Sequence, residues 1–315
     1  MKMTLAKFGM VTLAAATLLL AGSCQGGEEA PKNYRLAVVL KALDSEFWEA
    51  MKKGVEEAAR QHPNVELSVQ APEHETNVEA QVKLIEDAIA KKVSGLVVAP
   101  ADVAQVLPLL KKAFLAGIPV VLLDTDLPWA DKVTYVGTDN KAGGKLAGDF
   151  LVKALDGKGQ VAVIRGITGV QVHGDRIAGF QEGIDAASGI RFVTSVSADS
   201  DRAKAKTAMA DLLKNYPALN AVFATNDQMA LGAADALAEK KLTGKVKVVG
   251  YDAGQEALRA VKAGQLQAVV SQKPDEMGKQ ALEAALKTLQ RQGVKKRIDT
   301  GATLITQENV AQSLK

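Results

Sequence analysis

The sequence predicts an α/β protein built from two doubly wound parallel-sheet domains, and three observations carry that prediction. Apolar runs of about five residues recur along the chain without in-out alternation, as in strands covered by helices on both faces. Between them lie longer stretches whose apolar residues return every three or four positions, the spacing of an amphipathic helix. Strand and helix alternate through two successive series, and such alternation implies parallel sheets with right-handed crossovers.

The first series places strands at 36–40, 65–70, 95–99, 118–123 and 133–136. Phe47, Trp48, Met51, Val55 and Ala58 mark the helix after the first strand, and Val82, Ile85, Ala88 and Ile89 mark the helix after the second. The second series places strands at 160–164, 191–196, 219–224, 246–250 and 267–271, with helices near 141–156, 174–187, 201–215, 227–240 and 254–263. A last helix, about 274–292, and a short apolar stretch at 302–305 follow both series.

The chain has 315 residues, 47% hydrophobic and 24% charged, which suits two globular domains. Lys2 and Lys7 precede the apolar segment 8–21, too short for a comfortable membrane span and followed by small residues, so residues 1–23 read as an export signal peptide. Losing those two lysines reduces the 39 basic residues to 37 against 36 acidic ones, a balance of +1 that gives no argument for nucleic acid. Leu20-Ala21-Gly22-Ser23-Cys24 resembles a lipoprotein box, although Ala21 stands where leucine is usual and Ala21-Gly22-Ser23 also fits an ordinary signal-peptidase site. The lipid-anchor reading is preferred because Cys24 is the only cysteine, which also leaves no internal disulfide and no thiolate metal cluster. Residues 24–33 then form a tether.

The residues that close the apolar runs carry the candidate chemistry. Lys41 follows the first strand, Asp124 the fourth, Asn226-Asp227 the run 221–225, Asp252 the run 246–251 and Gln272 the run 267–271, while Arg176 lies early in a helix. Ligands of open α/β sheets bind outside the carboxyl ends of the strands, so these groups are expected to face one cleft. Singly, each has a plainer role as a solvated side chain or a helix cap, and Asp227 is assigned as the N-cap of the helix starting at Gln228. Phe47 and Trp48 follow the first strand directly; one is expected to anchor the core, and the pair offers flat apolar surface for the C–H face of a sugar. Four charge-assisted hydrogen bonds at roughly 1.5–3 kcal/mol each would about match an association cost of roughly 4–15 kcal/mol, so the apolar contact is needed as well.

Seven segments in order, Ala37–Trp48, Gly137–Gly144, Gly174–Phe180, Ala198–Arg202, Ala224–Gly232, Val248–Asp252 and Ser271–Asp275, resemble the ribose-binding-protein family of periplasmic solute receptors, nearest its allose-binding branch. The resemblance spans about residues 34–310. It implies a type I periplasmic binding protein: an N-terminal lobe of 34–138 plus 273–301, a C-terminal lobe of 139–272 plus 302–315, and a three-segment hinge where the chain crosses near Thr138-Asp139, Gln272 and Gly301. By position, it implies that Asp124, Arg176, Asn226, Asp252 and Gln272 hydrogen-bond ligand hydroxyls, that Lys41 adds a donor, and that Phe47 and Trp48 supply aromatic contact. Ser45, Thr125 and Ser200 form a secondary set. Two of these depart from the ribose pattern: Thr125 replaces an arginine after Asp124, and Ser200 replaces the aromatic of the second domain. Ribose is therefore disfavoured, and another monosaccharide, a polyol or a non-sugar polar ligand stays open.

The implied function is capture of a sugar-like ligand for an ABC transporter permease by a monomeric receptor without cofactor or metal. A chemotaxis or sensor receptor is a compatible further partner. An enzyme is the main alternative: His62, His74 and His173 show no metal-binding spacing, and no nucleophile elbow or phosphate loop is present. His173 is expected in a loop near the cleft. A repressor's effector domain shares the fold, but the export signal occupies the place of its DNA-binding helices.

Overall fold

Apolar residues on both faces of the central strands demand cover on both sides, and the computed structural model, which describes residues 33–314, provides it twice. The signal peptide, Cys24 and nearly all of the tether lie outside the described residues. The first sheet contains β1 (Tyr34–Val39), β2 (Val65–Gln70), β3 (Gly95–Val98), β4 (Val120–Leu123), β5 (Thr134–Gly137) and β11 (Arg297–Asp299), in the order β11-β5-β4-β3-β1-β2, all parallel. The second contains β6 (Lys158–Arg165), β7 (Gly189–Ser197), β8 (Leu219–Ala224), β9 (Lys247–Asp252), β10 (Ala268–Ser271) and β12 (Thr303–Thr306), in the order β12-β10-β9-β8-β6-β7. Only β12 runs antiparallel to its neighbour, β10.

Alternate residues of one strand feed opposite cores. Leu36 and Val38 of β1 pack with α1 (Glu46–Ala59) and α9 (Pro274–Leu289), whereas Ala37 and Val39 pack with α2 (Val78–Ala90) and α3 (Val103–Leu115). The second sheet repeats the plan. Val161 and Val163 of β6 meet α4 (Asn140–Ala154) and α5 (Gln171–Ile184), while Ala162 and Ile164 meet α6 (Arg202–Asn215), α7 (Asp227–Glu239) and α8 (Gln255–Lys262). The last helix covers the first sheet, so the chain leaves that sheet after β5, returns after β10 and leaves again between β11 and β12.

All ten expected strands form, along with the final one. β11 is an addition: its three residues are exposed or half-buried, with no apolar run to betray them, and it is held by pairing with β5.

Close approach of α4 to α5 fixes the backbone on which Arg176 is mounted. A Cβ added to Gly144 would stand 1.9 Å from the carbonyl oxygen of Arg176, with no flexible side-chain end to yield. Gly144→Ala is therefore expected to push the helices apart, costing about 1–3 kcal/mol of stability as overpacking does. Urea unfolding measures the loss, and displacement of Arg176 is expected to weaken ligand binding at the same time.

Candidate functional site

Asp124 and Asp252 both end their strands with positive φ, 62° and 86°, where a non-glycine residue bears backbone strain. The chain thereby leaves the strand abruptly at the edge of the cleft. On the first wall, Lys41 Nζ donates to Asp124 Oδ2 at 2.8 Å and to Thr125 Oγ1 at 2.7 Å, and the Thr125 hydroxyl donates to the same carboxylate oxygen at 2.9 Å. Lys41 and Asp124 are only 2% and 3% exposed, so this is a buried ion pair whose charges are compensated by one another. Trp48 lies edge-on to Phe47 at 4.9 Å between centroids and 5.6 Å from Lys41 Nζ. Trp48 is the core anchor of the two; Phe47 is half-buried.

The second wall is built around Arg176. Its Nε donates to Asn140 Oδ1 at 2.8 Å, its Nη1 donates to the Thr225 carbonyl at 2.7 Å and stands 3.4 Å from Asp252 Oδ1, and its guanidinium stacks 3.8 Å over the Tyr251 ring. Gln272 Nε2 donates to Asp252 Oδ1 at 2.6 Å, which places Gln272 as a support for that carboxylate. Gln272 Oε1 is buried with no protein partner, an acceptor whose desolvation is uncompensated.

Burial disfavours the charge of Arg176, but Asp252, together with Tyr251, Asp124 and Glu75, outweighs it, and the net effect raises its affinity for the proton. Asp252 is pushed up by burial against the pull of Arg176. His173 is held well below the usual imidazole range by burial and then by Arg176 and Lys41, which keeps it neutral. It joins Thr225 Oγ1 at 2.9 Å to Ser200 Oγ at 3.3 Å.

Lys41, Phe47, Trp48, Asp124, Arg176, Ser200, Asn226 and Asp252 all line one inner space of about 30 Å³. Ser45 lines only a larger outer compartment of about 400 Å³, Thr125 stands behind Lys41, and Gln272 stands behind Asp252. Two expectations are corrected. The cap of α7 is Asn226, whose Oδ1 accepts from Met229 N at 2.9 Å; the helix begins one residue early, and Asp227 instead accepts from Gly254 N at 3.0 Å. His173 is a buried residue of α5, not a loop histidine, because that helix starts at Gln171 and turns the imidazole toward the cleft.

Glu75 was not foreseen. It comes from the loop before α2, lines both compartments and accepts the Trp48 indole N–H at 2.8 Å. Burial raises its carboxyl, against the lowering effects of Lys41 and that hydrogen bond. The signal for it was indirect: a buried indole needs an acceptor. The walls also touch away from the cleft, where Gln255 N at the start of α8 donates to Glu46 Oε2 of α1 at 2.6 Å.

Paired ions, neutral amides and two rings at converging strand ends suit recognition of hydroxyl groups, each able to donate to a carboxylate and accept from Lys41 or Arg176. Comparisons with known proteins point the same way. Residues 36–293 match the family model described as periplasmic binding protein domain. A D-ribose/D-allose-binding protein of Pseudomonas aeruginosa is 35% identical over 268 residues, covering 83% of this chain and 84% of that protein. The D-allose-binding periplasmic protein of Escherichia coli is 35% identical over 255 residues, 78% of this chain and 82% of that one. A periplasmic solute-binding protein of an ABC transporter from Actinobacillus succinogenes, solved with D-allose, superposes with a TM-score of 0.82 at 34% identity, covering 89% and 99% of the two chains.

Proposed function

The chain belongs to the periplasmic binding protein family, and from that premise we propose that it is an exported receptor of a sugar ABC importer, whose ligand is a monosaccharide or polyol held by Lys41, Phe47, Trp48, Asp124, Arg176, Asn226 and Asp252. The observation that carries the site assignment is the convergence of these groups from both sheets on one cleft. Gln272 and Thr125 act behind that set by fixing Asp252 and Lys41. The protein is a binding protein like its relatives, not an enzyme.

Strand membership supports lobes of 34–138 plus 273–301 and 139–272 plus 302–315, and the three crossings supply the hinge. The inner space of about 30 Å³ holds little more than one water, so a sugar ring enters only as the lobes part. Lys41–Asp124 and Arg176–Asp252 then exchange contacts with each other for contacts with ligand hydroxyls. A ligand that touches both walls favours the closed state by its differential affinity; reversing a 99:1 preference takes about 10⁴-fold, or roughly 5.5 kcal/mol. The permease reads the closed surface, and acylation at Cys24 holds the receptor at the membrane. A chemotaxis or sensor protein reading the same closed surface is compatible with this mechanism.

Trp48 reports on the cleft directly, because ligand entry disturbs both its ring contacts and its bond to Glu75. Titration of purified protein with D-allose, D-ribose, D-arabinose, D-fucose and myo-inositol is expected to change tryptophan emission and raise the melting temperature for at least one of them. Unchanged emission and melting temperature with all five would defeat the sugar-receptor reading.

A further inference from the structure

The inner space does not end at its lining. Six of its residues, Phe47, Trp48, Glu75, Ser200, Asn226 and Asp252, also line the outer compartment of about 400 Å³, so the two are ends of one cleft. Small-ligand pockets run roughly 300–1,000 Å³, and here that capacity lies almost wholly in the outer part. The junction is governed by Ser200. Opposite the Phe47 and Trp48 wall stands its short hydroxymethyl side chain, on a backbone held at φ 62° beside Asp199 at 50°. A large side chain there would separate the compartments; serine leaves them joined.

We infer that the outer compartment is a second subsite, and that the ligand is a sugar or polyol carrying a further neutral hydroxylated unit, as in a disaccharide or a glycoside of a polyol. This rests on the receptor reading above and specifies its ligand class. The chemistry of the lining selects the unit. Asp44 and Asp201 present carboxylates whose second oxygens, beyond those on His74 Nδ1 and Lys204 N, accept from hydroxyls. The two cations of the lining are already engaged, Arg202 by Asp235 and Glu256 and Lys204 by Asp199, so a phosphate or carboxylate would meet repulsion without a free partner. The rings of Phe47 and Trp48 stand at the junction, shared by both compartments, and every residue that lines only the outer one is polar.

Isothermal titration of the full-length receptor with maltose, cellobiose, trehalose, melibiose and galactinol, each beside its component monosaccharides and polyol, tests this. At least one two-unit ligand is expected to bind as tightly as, or more tightly than, each of its components. Binding of components with every two-unit ligand weaker overturns the proposal but spares the receptor reading; silence from all of them, and from the five compounds above, removes both. Thr76→Trp, at a position that lines the outer compartment and not the inner space, fills the outer space while leaving the inner lining and the left-handed backbone of Ser200 untouched. For the two-unit ligand that binds, this variant is expected to lose at least tenfold more affinity than for its monosaccharide, whose retained binding shows that the variant is folded. An equal loss for both ligands overturns the assignment.

Discussion

Asp124→Asn is expected to cost ~3–5 kcal/mol of stability and to abolish detectable ligand binding, although it changes no heavy-atom count. Asparagine keeps the size of the side chain and tolerates the left-handed backbone at φ 62°. What it removes is the negative charge that compensates Lys41, an ammonium 2% exposed whose other hydrogen bond among the described residues goes to the Thr125 hydroxyl. A lone buried cation in that place is the costly species, more than the missing attraction. Lys41→Met combined with Asp124→Asn removes both charges and is expected to recover most of the stability while leaving binding absent. Urea denaturation and calorimetric titration on the two variants separate the outcomes. A single variant within 1 kcal/mol of the parent would mean that water reaches the pair in solution and that the cleft spends its time open.

The sequence made some of these partners visible and hid others for a physical reason. Lys41, Asp124, Asp252 and Gln272 follow apolar runs buried on both faces, so the end of each run locates its side chain at the rim of the sheet. Glu75 follows β2, an edge strand whose exposure alternates, and several loop residues separate it from that strand; periodicity says nothing about where such a loop turns. Asn140 touches Arg176 only because α4 and α5 pack at glycine distance, and Thr225 reaches it from the end of β8; both are tertiary facts. The one-residue shift that exchanged the roles of Asn226 and Asp227 is the usual uncertainty of a helix end, yet it matters here. As the cap, Asn226 has its side-chain oxygen committed to Met229 N, and its Nδ2 donates to the Ser200 carbonyl at 3.5 Å, which leaves the second amide hydrogen for a ligand.

Asp227, freed from capping, is expected to make the receptor more stable in acid than at neutral pH over part of the range. The carboxyl is 5% exposed, and burial, with the charges of Asp252 and Glu46 added, pushes it up to about 7, against hydrogen bonds from the Gly254 and Gln228 amides. Below about pH 4 the group is protonated in folded and unfolded chains alike and contributes no penalty. Between about 4 and 7 the unfolded chain releases the proton while the folded one keeps it, so stability falls as pH rises; above 7 the penalty is complete. A rise of about 3 units sets that penalty at ~4 kcal/mol at most, part of it shared with Asp252. Asp227→Asn keeps an acceptor for Gly254 N and is expected to raise the melting temperature at pH 8, with the gain shrinking to nothing near pH 4. The same group links pH to closure. Glu46 reaches α8 only when the lobes meet, bringing a negative charge toward Asp227, so the closed form holds its proton more tightly than the open one. Ligand affinity is then expected to strengthen from pH 8 to pH 6, and in Asp227→Asn to vary less over that interval. A parent and variant with the same pH profile for both melting and binding would show that Asp227 is ionised and solvated throughout.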